Sequence, residues 1–192
     1  PMARTPSNML PLGTPMPDVA LPDVVSGETH RLHQYAGEKG VLVMFICNHC
    51  PFVLHIAPFL EELSQELNLM GIQCIAISSN DVEDYPDDAP EKMALFAQKH
   101  QLAFPYFYDE TQEVAKAFDA ACTPDFYLFD KDLKLAYRGQ MDDSRPDNGI
   151  PVSGRDLISA AEQVSRGEQP PPAAQKPSLG CNIKWKVPGA SA

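Results

Sequence analysis

The chain has 192 residues, 44% of them hydrophobic, and sets 26 acidic residues against 15 Lys and Arg for a formal charge of −11. That length and apolar content suffice for one ordinary domain with a sizeable core, and no apolar run approaches the length of a membrane span. The acidic balance and the lack of a basic patch exclude nucleic acid and anionic membranes as partners.

Pro1-Met2-Ala3-Arg4-Thr5-Pro6 has no apolar stretch behind its Arg, so no secretory signal is expected there. Residues 1–15 read as an N-terminal arm, either loose or ordered on contact. Asp18 to Val25 and Thr29 to Leu32 flank Ser26-Gly27 and suggest a small hairpin. Val41 to Ile46 is apolar throughout, as expected of a strand covered on both faces. It ends in Cys47-Asn48-His49-Cys50. A helical pattern follows in Phe52, Val53, Ile56, Phe59, Leu60, Leu63 and Leu67. Pro51 suits a first helical turn, and Pro58 is expected to kink the helix.

Gly71 stops that helix, and Ile72 to Ser78 reads as a second strand, parallel to the first through the crossover. Asn80 to Glu91 is an acidic loop, read as solvated charge near the start of the next helix rather than as a metal site. Glu91 to His100 is helical, Phe104 to Tyr108 extended, and Thr111 to Phe118 a short helix. Tyr106 and Tyr108 are expected at the core edge. A strand begins after Thr123-Pro124, turns at Asp130 to Leu133, and returns through Leu133 to Arg138. A last helix runs from Ser153-Gly154-Arg155-Asp156 to Val164, and Gly167 ends it. Gln169 to Pro177 is Pro-rich and extended.

A C-x-x-C pair between a buried strand and a helix reads as a redox site. The unpaired N–H groups of a helix's first turn favour an anion, here a thiolate, which is the nucleophilic form of cysteine. The five cysteines (47, 50, 74, 122 and 181) are scattered and odd in number, unlike the disulfide framework of a small secreted domain. The expectation is a cytoplasmic protein with one catalytic pair. Parallel strands end on one side, so Ser78 to Asp81 and Gly139 to Arg145 should border the thiols and set acidic groups near them.

With Cys47-Asn48-His49-Cys50 at a strand-helix junction and Thr123-Pro124 at a strand start, the element order over roughly 17–167 resembles the thioredoxin superfamily. Cys-Asn-His-Cys-Pro-Phe-Val, with Gly-Cys-Asn-Ile-Lys-Trp-Lys near the end, resembles a bacterial group of redoxin-domain proteins related to alkyl hydroperoxide reductases and thiol–disulfide oxidoreductases. The resemblance implies an α/β thioredoxin fold: a central mixed sheet flanked by helices, with an N-terminal hairpin extension and an extended C-terminal tail. The parts are an arm (1–15), the thioredoxin-like domain (16–168) and a Pro-rich tail carrying Cys181 (169–192). It also implies a cis Pro124 packed against the thiols, with the Thr123 backbone paired to an extended substrate.

Two departures stand out. Ile46 occupies the place of the thioredoxin Trp. Cys47 and Val43 stand where peroxiredoxins carry Thr and Pro ahead of the peroxide-reactive cysteine, whose place is Cys50.

The expected activity is thiol–disulfide exchange. Cys47, taken as the more exposed, attacks a disulfide of a protein or small molecule; Cys50 resolves; a thiol reductant system restores the pair. His49 is expected to lower the Cys47 pKa. Cys122 is either packing or a further resolving thiol. Cys181 either folds back as a resolving thiol, pairs with Cys122, or belongs to a tail that merely docks. Cys74 is structural. His55 is read as surface or packing. The alternatives are a peroxiredoxin-like thiol peroxidase and a copper-binding module of the same fold. No cofactor and no resident metal are expected.

Overall fold

The computed structural model describes residues 4–188. A five-stranded sheet is built from β4 (Gly40–Phe45), β5 (Ile72–Ser78), β6 (Tyr106–Tyr108), β8 (Asp125–Asp130) and β9 (Leu135–Gly139). Its order is β6-β5-β4-β8-β9. β4, β5 and β6 are parallel, and β8 and β9 run antiparallel to their neighbours.

Apolar side chains on alternate positions of β4 point to opposite faces, so both faces need cover. Leu42 and Met44 pack under α1 (Pro51–Leu69), α2 (Pro90–Lys99) and α4 (Arg155–Ser165). Val41, Val43 and Phe45 pack on the other side with Ile75, Ile77, Phe107 and Phe118, and with Val114 of α3 (Glu113–Ala117). This is the expected mixed sheet flanked by helices.

α1 buries Phe52, Val53, Ile56, Leu60, Leu63 and Leu67, an i, i+3/i+4 stripe. It runs through Pro58 as one element because Pro58 lies on its exposed side, where solvent can take the carbonyl left without a partner. The hairpin after β8 turns where the Asp130 carboxylate accepts from the Asp132 and Lys134 N–H groups at 2.9 and 3.0 Å. Leu133 sits in that turn at φ 58°, so the returning strand starts at Leu135 rather than at Leu133. The small hairpin is β2 (Ala20–Pro22) paired with β3 (Thr29–Arg31).

The arm is ordered by contact and the tail is docked, each among the alternatives left open above. β1 (Arg4–Pro6), β10 (Leu179–Asn182) and β7 (Cys122–Thr123) form a second, antiparallel sheet in the order β1-β10-β7. Arg4 faces Cys181 in register, and Cys181 faces Thr123. The Ser7 N–H donates to the Ser178 carbonyl at 3.0 Å, and the Ser178 N–H to Ser7 Oγ at 2.8 Å. Backbone polar groups laid over a core need partners, and here the two chain ends supply each other's. No helix among the described residues is long and apolar enough to cross a membrane.

Candidate active site

β4 ends beneath the N-terminus of α1, and Cys47 to Cys50 bridge the two elements, with Cys50 as the helix N-cap and Pro51 as the first helical residue. The Val53 and Leu54 N–H groups donate to the Cys50 carbonyl, fixing that turn. The Thr123–Pro124 bond is cis. Thr123 Oγ1 lies 3.5 Å from Cys47 Sγ, and the Thr123 carbonyl lies 3.5 Å from Cys50 Sγ. Cys181 Sγ lies 2.6 Å from Cys50 Sγ. The helix tip, the cis-proline segment and the C-terminal strand thus converge on Cys50.

Cys47 is 1% exposed, Cys50 0% and Cys181 7%, so the expectation of an exposed Cys47 is overturned. The cause is β10, which lies across the thiols and pairs with β7. The tail is also held further along. Asn80 Oδ1 accepts from the Lys184 N–H at 2.8 Å, and the Lys184 carbonyl accepts from the Asp81 N–H at 2.8 Å and from Gln112 Nε2 at 2.9 Å. The loop after β5 therefore borders the site, as topology requires.

Cys122 shares β7 with Thr123, and alternation along the strand turns it away from Cys47; its thiol sits 3.8 Å from the Pro124 carbonyl. Burial raises its pKa, and raises that of Cys74 to about 12. Both remain thiols and pack as small apolar residues.

The other three sulfurs shift one another. A hydrogen bond with Cys181 is the largest cause lowering the Cys50 pKa, followed by one with Cys47, with the Val53 N–H adding to them. The same contacts raise the pKa of Cys47 and of Cys181. Burial and the charge of Asp88 raise Cys47 further. This direction reverses the expectation that His49 lowers Cys47.

His49 instead turns Nδ1 to Asp88 Oδ2 at 2.8 Å and stacks on Tyr85. Asp88 is 0% exposed. Its carboxylate also accepts from the Asn48 N–H and from Asn80 Nδ2, both at 2.9 Å. Tyr106, fully buried, donates its hydroxyl to Asn48 Oδ1 at 2.9 Å. Asp88 and Tyr106 are the site residues that the sequence reading missed. In the sequence Asp88 reads with its neighbours as solvated charge. Nothing local separates it from Asp87; the short Pro86–Asp88 turn decides which carboxylate points inward.

Cys47 Sγ, His49 Nδ1 and an Asp88 oxygen lie within 4.8 Å of one another, which is compatible with a metal ion. The Asp88 oxygens already accept from two donors, the Asn48 N–H and Asn80 Nδ2, and His49 Nδ1 meets Asp88 as an ion-pair contact that an ion would displace. Three ligand atoms fall short of the four of a structural zinc site.

The loop from Gly139 to Arg145 borders the cis-proline side. Asp142 accepts from the N–H groups of Ser144, Ser153 and Gly154, and so caps the entry to α4. Asp143 holds Gln140 and Lys176. His55 Nε2 meets Ser144 Oγ at 2.7 Å, a packing role. Behind Pro124, Asp125 is buried and accepts from Ser7 Oγ at 2.8 Å and from the Tyr127 hydroxyl at 3.0 Å. Burial raises its pKa to about 7 against those bonds.

Solved structures share the architecture. An uncharacterized conserved protein from Geobacillus kaustophilus is 52% identical, with 99% of this chain and 100% of that chain covered and a TM-score of 0.94. A hypothetical protein from Sinorhizobium meliloti 1021 is 41% identical, with 95% and 99% covered and a TM-score of 0.91. The peroxidoxin BcpB from Mycobacterium tuberculosis, 19% identical with 83% and 98% covered and a TM-score of 0.60, shares the thioredoxin-like fold alone. Among curated proteins none matches the chain. The Redoxin family profile matches residues 11–152, which span β2 to β9 and both thiols of the C-x-x-C pair, and the chain belongs to that family.

Proposed function

We propose that the protein is a thiol–disulfide oxidoreductase in which Cys50, rather than Cys47, is the attacking thiolate. The observation that carries this is the placement of Cys50 at the N-terminus of α1 with the Cys181 sulfur 2.6 Å from its own, contacts that lower its pKa. Cys50 attacks a disulfide of a protein or small molecule and one partner sulfur leaves as thiolate. Cys47 then attacks Cys50 and releases the second partner sulfur, its own proton passing to that leaving group. Two electrons pass to the substrate, and a Cys47–Cys50 disulfide remains for a thiol reductant system to reduce. A reducing compartment such as the cytoplasm suits this cycle. His49 and Asp88 act as positioning residues, since they fix Asn48 and hence the turn between the cysteines.

Trapping tests this. With Cys47→Ser and Cys181→Ser together, a disulfide substrate is expected to remain bound to Cys50 as a mixed disulfide visible by mass; with Cys50→Ser no adduct forms. An adduct on Cys47 in the Cys50→Ser chain, formed as fast as in the wild type, contradicts the assignment.

A second reading, thiol peroxidase, is favoured by the same lowered Cys50 pKa at the place where the peroxide-reactive cysteine is expected. Cys50 would be oxidised by peroxide to a sulfenic acid, releasing an alcohol or water, and a neighbouring thiol would condense with it and release water. Peroxide consumption no faster than by free cysteine excludes it.

A further inference from the structure

Cys50 is fully buried, and β10 is what covers it. We propose that β10 is an internal occupant of a strand-binding groove, and that the partner of Cys50 is an extended polypeptide segment with glycine immediately before its cysteine, which exchanges with β10. The inference rests on Cys50 being the attacking thiolate.

The groove is the gap between β1 and β7. The sheet order is β1-β10-β7, so a strand seated there is paired along both edges. That pairing is main-chain, which any extended segment can supply. The register sets Cys181 opposite Thr123 and its sulfur 2.6 Å from Cys50, where a sulfur under attack by Cys50 must come.

The residue before it is restricted. A Cβ on Gly180 would lie 2.0 Å from the Thr123 carbonyl oxygen and 2.7 Å from its carbon. Both are backbone atoms beside a cis bond and cannot turn aside as a side chain can. Any segment in this register must therefore lack a Cβ there. The residue after the cysteine, Asn182, is exposed and carries no such limit.

The chemistry balances without a further reagent. The Cys50 thiolate attacks the cysteine sulfur of the partner's disulfide, and that S–S bond breaks as the Cys50–partner bond forms. The other partner sulfur leaves as a thiolate. Cys47 then attacks Cys50, and the partner cysteine leaves with the Cys47 proton. β10 returns to the groove, and Cys181 lies again beside Cys50.

The test uses the full chain carrying Cys47→Ser and Cys181→Ser, in which an adduct on Cys50 is not resolved. The probes are Ser-Leu-Gly-Cys-Asn-Ile and Ser-Leu-Val-Cys-Asn-Ile, each with its cysteine activated as a disulfide with 5-thio-2-nitrobenzoate. Release of the thionitrobenzoate chromophore gives the rate. The glycine peptide is expected to react about tenfold faster or more, the cost of one buried steric clash. Once it is bound, backbone amides of 178–186 are expected to lose protection from hydrogen exchange. Equal rates with the tail still protected overturn the inference. Bis(5-thio-2-nitrobenzoate) disulfide, a small substrate, is run beside the peptides. If it labels Cys50 while the peptides react alike, only the inference about β10 falls; if it fails to label Cys50, the oxidoreductase reading falls as well. In the otherwise wild-type chain, Gly180→Val pushes β10 off Thr123 and is expected to raise the glycine-peptide rate about tenfold; an unchanged rate counts against the groove.

Discussion

Cys50 has two S–H neighbours and a helix N-terminus, whereas Cys47 has the buried Asp88 carboxylate in its surroundings. The difference in charge state between two cysteines three positions apart comes from those neighbours. Cys181→Ala removes the strongest donor to the thiolate, so the Cys50 pKa should rise by about one unit or more. The pH dependence of its alkylation should move to higher pH by the same amount; no movement means the Cys50–Cys181 contact is not a donor contact in solution. Asp88 is expected to matter for stability as much as for chemistry. Asp88→Ala leaves Asn48 and Asn80 without their acceptor and His49 without its ion-pair partner, and should cost about 3 kcal/mol, read from urea denaturation. It also removes a charge that raises Cys47, so the Cys47 pKa should fall.

α1 and β10 meet at the thiols beyond the end of β4, and the two are held by different means. α1 is held by its apolar stripe, and Leu60→Ala, at a fully buried position, should cost about 2–5 kcal/mol in a denaturant titration. β10 is held by pairing and by close backbone approach. Gly139 ends β9 at φ 126°, where a Cβ would lie 2.0 Å from the Lys176 carbonyl oxygen. Gly139→Ala should therefore lift the segment leading into β10, with faster hydrogen exchange across 175–183 and a stability loss of about 1–3 kcal/mol.

These two means of attachment also explain what the sequence made legible. The run Val41 to Ile46, the cysteine pair and the stripe of α1 are local patterns, and strand, helix and redox motif follow from them. Thr123-Pro124 found its place through its position before a strand. β10 has no such pattern: Leu179-Gly180-Cys181-Asn182 lacks alternation, and its strand character comes from β1 and β7, more than 50 residues away in the chain. Asp88 was hidden for the same reason, since its acidic neighbours are solvated and only tertiary packing turns it inward.

Across the molecule, the two chain ends close one site, and Asp125 lies where they join the main sheet. It accepts from Ser7 of the arm, follows the cis-proline that β10 lies beside, and pairs with Phe45 of β4 in register. Its pKa rises from an ordinary value near 4 to about 7 on folding. Between those values the unfolded chain has lost the proton that the folded chain still holds, so this group makes stability fall as pH rises from about 4 to 7. Relative to Asp125→Asn, the wild type should lose up to about 4 kcal/mol across that window, measured by denaturation at stepped pH; parallel profiles would falsify the assignment. The central claim is that Cys50 is the sulfur through which every exchange passes. Disulfide mapping by mass spectrometry, after equilibration of the wild-type chain in glutathione buffers of stepped potential, tests it most directly. Cys50 is expected in each intramolecular disulfide, joined to Cys47 or to Cys181, with Cys74 and Cys122 reduced throughout. A Cys47–Cys181 or Cys122–Cys181 bridge with Cys50 left as a thiol would contradict it.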